Sequence, residues 1–287
     1  MKHVGVIGGS GLYELPGITE VEAKRVTTPF GPASDDLMSG RLGDVRITFL
    51  PRHGRGHRIL PSEINFRANL FAMKELGVEW LISVGAVGSL RQEIAPGHVV
   101  IPNQFIDRTV ARPSTFFGRG IVVHVSLADP VCPLLAAKLR DAARAAGGTV
   151  HASGTYICME GPQFSTRAES EMYRGWGADV IGMTNWQEAK LAREAEICFA
   201  SMALCTDYDC WNPESDHVVI EDVLRILGEN VDLARHAIAR VAAALPERSC
   251  ACAEALKSAI ITDPSLIPAA ARRDLAPLIG KYLGAAS

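Results

Sequence analysis

The chain has 287 residues, 48% of them hydrophobic and 21% charged, with a formal net charge of -3. This is the composition of an ordinary globular protein. The slightly acidic balance argues against a nucleic-acid binder, and no apolar run reaches the roughly 20 residues of a membrane span. One α/β domain of this length is common. The N-terminus enters a strand-like run at once and shows no signal-peptide cleavage pattern, so a cytoplasmic protein is expected.

In chain order, the first apolar run is "GVIGGSGLYE", residues 5–14. It breaks into glycines, but Glu14 occupies the third glycine position of the dinucleotide fingerprint, and no Gly-Lys-Ser/Thr closes a P-loop. Two readings stay open. One is a phosphate-sized anion held by backbone N–H groups and the Ser10 hydroxyl, and the other is a plain tight turn. Further strand-like runs are "VRITFL", "WLISVGAV", "HVVIPNQFI", "TYICME", "ADVIGMT" and "ICFASMALCT", which suit strands buried on both faces.

Helical patterns alternate with these runs. "SEINFRANLFAMKELG" has Ser62 as an N-cap and Gly77 as its stop; "CPLLAAKLRDAARAAGG" opens on Pro133 and stops at Gly147. "NWQEAKLAREAEI" and "EDVLRILGENVDLARHAIARVAAAL" repeat apolar residues at spacings of three and four. The alternation predicts a single three-layer α/β/α domain with short helices in the tail packing on it.

Four segments carry chemistry. "PRHGRGHR" follows a strand and concentrates Arg52, His53, Arg55, His57 and Arg58 between Pro51 and Pro61, which is an anion clamp or a solvated basic loop. In "SVGAVGSL" small residues would let a ligand reach the Ala86 amide, although such a segment also makes an ordinary strand end. Asp207 and Asp209 in "CTDYDCW" share a face in a strand or converge on a flat ligand in a loop; a magnesium site lacks a second acidic segment to complete it. In "MEGPQFSTRAESE", Phe164 is a stacking platform or a core residue, and Ser165 with Ala168 and Glu169 reads as a helix start. Of seven cysteines, Cys250 and Cys252 in "CAC" have neither a flanking His nor a second Cys pair, so no metal site is expected and the two read as solvent-exposed thiols.

Taken together, "GGSGLY", "PRHGRGH", "GAVGSL", "IPNQFIDRT", "MEGPQFSTRAES", "MTNWQEAKLAREA" and "TDYDCW" resemble, in order and spacing, the trimeric nucleoside phosphorylases, specifically their 5'-methylthioadenosine phosphorylase branch. The resemblance implies a mixed central sheet, a core over about 4–245 and a helical extension over about 246–287. It also implies phosphorolysis of a nucleoside to free base and 5-methylthio-α-D-ribose 1-phosphate, with orthophosphate as co-substrate and no cofactor. By position it assigns Ser10, Arg52, His53, the Ala86 backbone and Thr184 to phosphate, Met183 to the ribose and Phe164 to the base. Asp207 would protonate purine N7, and Asp209 would accept from the 6-amino group of adenine. Val223, Leu224 and His57 would line the 5' pocket, joined by His124 from a neighbouring subunit of a homotrimer or a dimer of trimers. Gly85 stands where a threonine is frequent, and Trp186 and Gln187 where a smaller residue and proline are frequent, so Trp186 is expected to reshape the pocket floor. The "CAC" invites a disulfide, but free thiols are expected in a reducing cytoplasm. The rival readings are a methylthioinosine or broad purine nucleoside phosphorylase, a hydrolase, and a silent nucleoside binder.

Overall fold

The chain was analysed as a computed structural model that describes residues 1–9, 11, 12, 15–213 and 220–283. Ser10, Glu14 and the side chains of Val223 and Leu224 lie outside the described residues.

The elements run β1 (His3–Gly8), β2 (Thr19–Lys24), β3 (Leu37–Leu42), β4 (Val45–Pro51), α1 (Phe66–Glu75), β5 (Trp80–Ser89), β6 (Val99–Val100), β7 (Gln104–Arg108), α2 (Pro133–Ala145), β8 (Val150–His151) and β9 (Thr155–Met159). They continue with α3 (Arg167–Gly175), β10 (Val180–Gly182), α4 (Asn185–Glu194), β11 (Cys198–Asp207), α5 (Ile220–Ala243), α6 (Ala269–Asp274) and α7 (Ala276–Leu283). The strands form one mixed sheet in the order β2-β3-β4-β1-β5-β10-β9-β7, and β11 pairs with β5 and β6. Helix α1 packs on α4 and α2 packs on α5, giving the expected α/β architecture with the largest buried side chains, Trp80, Phe49 and Phe199, inside it.

The arrangement around β5 creates the site. A strand has two edges, and β11 runs in parallel along one of them from Trp80 to Gly88. On the other edge β1 pairs with Trp80–Ser83, whereas β10 pairs antiparallel with Gly88 and Ser89. Between them, residues 84–87 of β5 have no ladder partner on that edge. Buried backbone groups must find other partners, and this gap is where the sheet offers its N–H and C=O groups to something else. It is the local form of the crevice at which open α/β sheets bind ligands.

Local sequence chemistry explains several departures from expectation. Helix α1 is capped by Asn65, whose side chain accepts from the Ala68 N–H at 3.1 Å, and not by Ser62. Helix α3 starts one residue later than Ser165 suggested, because a capping box requires its two members three apart and Thr166 with Glu169 meets that spacing. Pro102 divides "HVVIPNQFI" into β6 and β7. Strands β2 and β3 were not apparent as apolar runs; β2 is an almost wholly exposed edge of alternating charge, "TEVEAK". The thiols of "CAC" are not solvent-exposed. Cys252 is buried, Cys250 is half-buried, and Cys132 and Cys198 lie beside them.

The segment between β7 and α2 is strapped down at three points. Arg112 reaches inward to Glu160, the Thr115 hydroxyl and Phe116 N–H donate to Glu194, and residues 122–124 bond to the C-terminal extension. Burial raises the Glu194 carboxyl from 4.5 to about 7, with the bonds from Phe116 and Thr115 acting in the opposite sense. A folded pKa above the unfolded one means that the fold holds the proton more tightly. The associated stability is complete below about pH 4.5 and is lost as pH rises through about 7. Glu194→Gln keeps an acceptor and removes the buried charge, so it is expected to raise stability at pH 8 by on the order of 1–3 kcal/mol and to flatten the loss between pH 5 and 8. Thermal melts across that range check this, and an unchanged slope would refute it.

Candidate active site

Arg52 follows β4 and is only 3% exposed. Its guanidinium occupies the mouth of the gap. Nη1 donates to the Val84 carbonyl at 2.8 Å, and Nη2 donates to the Ile7 carbonyl at 3.1 Å and to Ser83 Oγ at 2.7 Å. Nε and Nη2 grip the Glu188 carboxylate at 2.8 and 3.3 Å. Ser83 Oγ donates to Glu188 at 2.5 Å, Asn185 Nδ2 donates to Ser83 Oγ at 2.8 Å, and Ser201 donates to Asn185. A buried pair of this kind is tolerable only when hydrogen bonds satisfy its remaining atoms, as they do here. The pair has no net charge. One Nη1 hydrogen remains without a partner among the described residues, and Nη1 lies against Gly85, where a Cβ would sit 3.2 Å away. A threonine at 85 would therefore crowd the guanidinium.

Strand alternation puts Ala86 on the same edge as Val84, so its N–H also opens into the gap. His53, next after Arg52, gives Nδ1 to the Ile59 carbonyl at 2.8 Å and stacks its ring on His57 at 4.2 Å. A carbonyl only accepts, so Nδ1 carries the proton and Nε2 presents a lone pair. Burial and the neighbouring Arg52 charge lower the His53 pKa to about 4, which keeps the ring neutral near pH 7. His57 is exposed and takes a left-handed backbone, with φ of 52°. Thr184 is buried just after β10, and its hydroxyl makes no cap bond although it precedes α4.

The acid pair sits at Gly88 of β5, the residue just beyond the gap. A register shift after Cys205 brings Asp207 opposite Gly88, and bulges of this kind re-aim side chains. Glycine is required there, because a Cβ would meet Asp207 Oδ1 at 2.9 Å, the Ile181 methyl at 3.1 Å and Asp209 Cβ at 3.3 Å. The Thr206 hydroxyl and the Asp209 N–H both donate to the Asp207 carboxylate at 2.7 Å. Asp209 lies in the turn after the strand with φ of 51°, so the loop geometry applies and the shared-face strand geometry does not. It is 4% exposed. Burial raises both carboxyls above the usual range; Asp207 is partly held back by Thr206, and Asp209 by nearby Ser170, whose hydroxyl makes no well-formed hydrogen bond of its own.

Phe164 is 46% exposed and is not a core residue. Its loop is tied to the acid turn by Cys210 Sγ, which donates to the Ser165 carbonyl at 3.3 Å. The Met183 thioether lies over Gly161. Trp186 stacks on Phe105 of β7 at 5.2 Å. His124 stands on an exposed strip, away from the other site residues in sequence and pinned through its N–H to the Ala259 carbonyl. The sequence reading missed Glu188, Gly88 and above all Arg112, a buried cation. Arg112 binds the Glu160 carboxylate at 2.9 Å, the Glu160 and Met183 carbonyls, and Gln187 Oε1 at 3.2 Å. It clamps the loop carrying Phe164 to the turn carrying Met183. Its flanks, "VARPST", carry no signal, whereas Glu188, an acid in the first turn of a helix at a strand end, was readable as a candidate partner for a buried arginine.

Nitrogen-detected NMR of the histidines checks the His53 assignment. A protonated Nδ1 and a bare Nε2 are expected without titration from pH 8 down to about 5, and titration near the ordinary value of 6.5 would refute it.

Similarity to known proteins identifies the family. The phosphorylase superfamily model matches residues 3–245. The S-methyl-5'-thioadenosine phosphorylase of Geobacter sulfurreducens is 57% identical, covering 98% of this chain and 99% of that protein. The crystal structure of a methylthioadenosine phosphorylase sourced from an antarctic soil metagenomic library has a TM-score of 0.91 at 46% identity, covering 96% of this chain and 98% of that one. A mutant of the adenosine/methylthioadenosine phosphorylase of Schistosoma mansoni, solved in complex with methylthioadenosine, has a TM-score of 0.80 at 38% identity, covering 85% of this chain and 91% of that one. By its sequence and by its fold, the chain belongs to the phosphorylase superfamily and, within it, to the S-methyl-5'-thioadenosine phosphorylase family.

Proposed function

We propose that the protein cleaves 5'-methylthioadenosine with orthophosphate, releasing adenine and 5-methylthio-α-D-ribose 1-phosphate. The observation that carries this reading is the pair of buried carboxyls, Asp207 and Asp209, with raised proton affinity, set against Gly88 just beyond the stretch of β5 whose Val84 carbonyl binds Arg52. The reaction breaks a C–N bond through a ribosyl cation and must supply a proton to a poor leaving base. An anion held beneath the sugar is both nucleophile and counter-charge. A phosphate oxygen forms the new bond to C1', the C1'–N9 electron pair leaves with the base, and Asp207 gives its proton to N7.

Because Glu188 neutralises Arg52, the phosphate is held mainly by directed N–H and O–H donors: the Ala86 amide, Thr184, the last Arg52 N–H and Ser10. His53 accepts the P–OH hydrogen of monohydrogen phosphate at Nε2. The N-terminus of α4 adds its positive dipole end. Phe164 covers the base, Met183 lies against the ribose, and Val223, Leu224 and His57 receive the methylthio group. Asp209 accepts from an exocyclic amine and repels a 6-oxo group, which favours adenine over hypoxanthine. An unmet buried acceptor costs about 1–3 kcal/mol, which corresponds to about 5- to 150-fold in kcat/KM. No cofactor is needed. The exposed position of the His124 strip supports its insertion into a neighbouring subunit of a homotrimer, and among the described residues no helix is long and apolar enough to cross a membrane. A cytoplasmic role in purine and methionine salvage fits this chemistry.

The deciding experiment is adenine release from methylthioadenosine with and without orthophosphate, beside methylthioinosine and adenosine. Phosphate-dependent release with weak use of methylthioinosine is expected, and Asp209→Asn is expected to narrow that preference about tenfold or more. Release without phosphate would make the protein a hydrolase, and equal use of methylthioinosine would overturn the role of Asp209. A second test leaves every ligand-facing group in place: Gly88→Ala pushes on both carboxylates and is expected to lower kcat by about 10²-fold, as small misplacements of catalytic groups do. Unaltered turnover in that variant would show that the acid pair is not tightly positioned.

A further inference from the structure

Four cysteines from three separate parts of the chain meet at one point: Cys132 at the N-cap of α2, Cys198 at the first position of β11, and Cys250 and Cys252 of the extension. Their sulfurs all lie within 4.8 Å of one another, with Cys198 and Cys250 at 3.2 Å and Cys132 and Cys250 at 3.7 Å. Three are buried and Cys250 is half-buried. We propose that these four sulfurs form a structural tetrathiolate site for a soft divalent cation, zinc, that fastens the C-terminal extension to the core.

The geometry carries the proposal. Zinc–sulfur bonds are about 2.3 Å, and a regular tetrahedron with that bond length has its corners about 3.8 Å apart. The cluster therefore needs shifts well under 1 Å to enclose the ion. The second cysteine pair that "CAC" lacks in sequence is supplied from residues 118 and 52 positions away. The surroundings suit an anionic centre. Arg248 Nε donates to Cys198 Sγ at 3.3 Å, and Cys132 stands at a helix N-terminus, where the backbone favours negative charge. On binding, each sulfur still protonated releases its proton to solvent. The resulting double negative charge faces Arg248 and the α2 terminus. Two disulfides would use the same four atoms, so the experiment must separate the two.

The full-length protein, purified from a reducing cytosol without a polyhistidine tag or chelator, is analysed for metals by mass spectrometry and for thiols in denaturant. About one zinc per chain is expected, with all seven cysteines of the chain titrating once the metal is removed. Reconstitution with Co²⁺ alone should give the sulfur-to-metal charge-transfer and intense visible bands of a tetrahedral thiolate site. Cys250→Ser and Cys252→Ser should each lower zinc retention at least tenfold, and Cys250, being half-buried, gives the variant less dependent on core packing. A metal-free protein with all seven thiols free would overturn the proposal. So would a mass four hydrogens lighter, which marks two disulfides, or full zinc retention in both variants.

Discussion

Much of this structure depends on the placement of one buried cation. Arg52 closes the gap that opens along β5 where β1 ends and β10 begins, and it does so by donating to a carbonyl from each of β1 and β5 and to a carboxylate from α4. Removing either member of the Arg52–Glu188 pair would leave the other charged and buried, a change that typically costs about 3–5 kcal/mol. The pair thereby holds the first turn of α4 against the sheet, and with it Thr184 and Met183. The sheet is mixed at just this point, and the irregularity of strand order that leaves backbone groups unpaired also makes room for a ligand.

The two ends of the site are built on different physics. Around Arg52 the protein presents neutral, directed donors beside an internally compensated ion pair. Around Gly88 two carboxyls are taken out of water and left with few donors, so their proton affinity rises. Gly88 connects the two: its missing side chain lets the acid pair lie against β5 just beyond the residues that bond Arg52. Arg112 links the loops that follow β9 and β10, so the residues that would hold sugar and base move as one unit.

Most of the sheet was legible because strands buried on both faces are written as uninterrupted apolar runs. The strands that escaped were β2, which is charged and exposed, β3, whose apolar residues are interrupted by serine, glycine and arginine, and the two-residue β8. Within the site, Arg52, His53, Ala86, Asp207 and Asp209 were readable because each sits at the end of such a run in a loop of glycines, cations or acids. Ser10, Val223 and Leu224 lie outside what can be described. Arg112 and Gly88 act through contacts 71 and 119 residues away, or through the absence of a side chain, and nothing local in sequence encodes that. The cysteines were misjudged because a spacing rule applied to "CAC" cannot see partners that only the fold delivers.

The C-terminal extension has a bearing on how activity would be inherited within an assembly. It docks through Glu196, which accepts from Tyr282 at 2.5 Å and from the Leu256 N–H at 3.0 Å, and it then bonds to the strip that carries His124. In the proposed trimer that histidine serves a neighbour. Damage to one subunit's tail would then silence an adjacent centre and spare its own. A mixed trimer would lose its sites one at a time, each loss displaced by one position around the ring from the lesion that caused it.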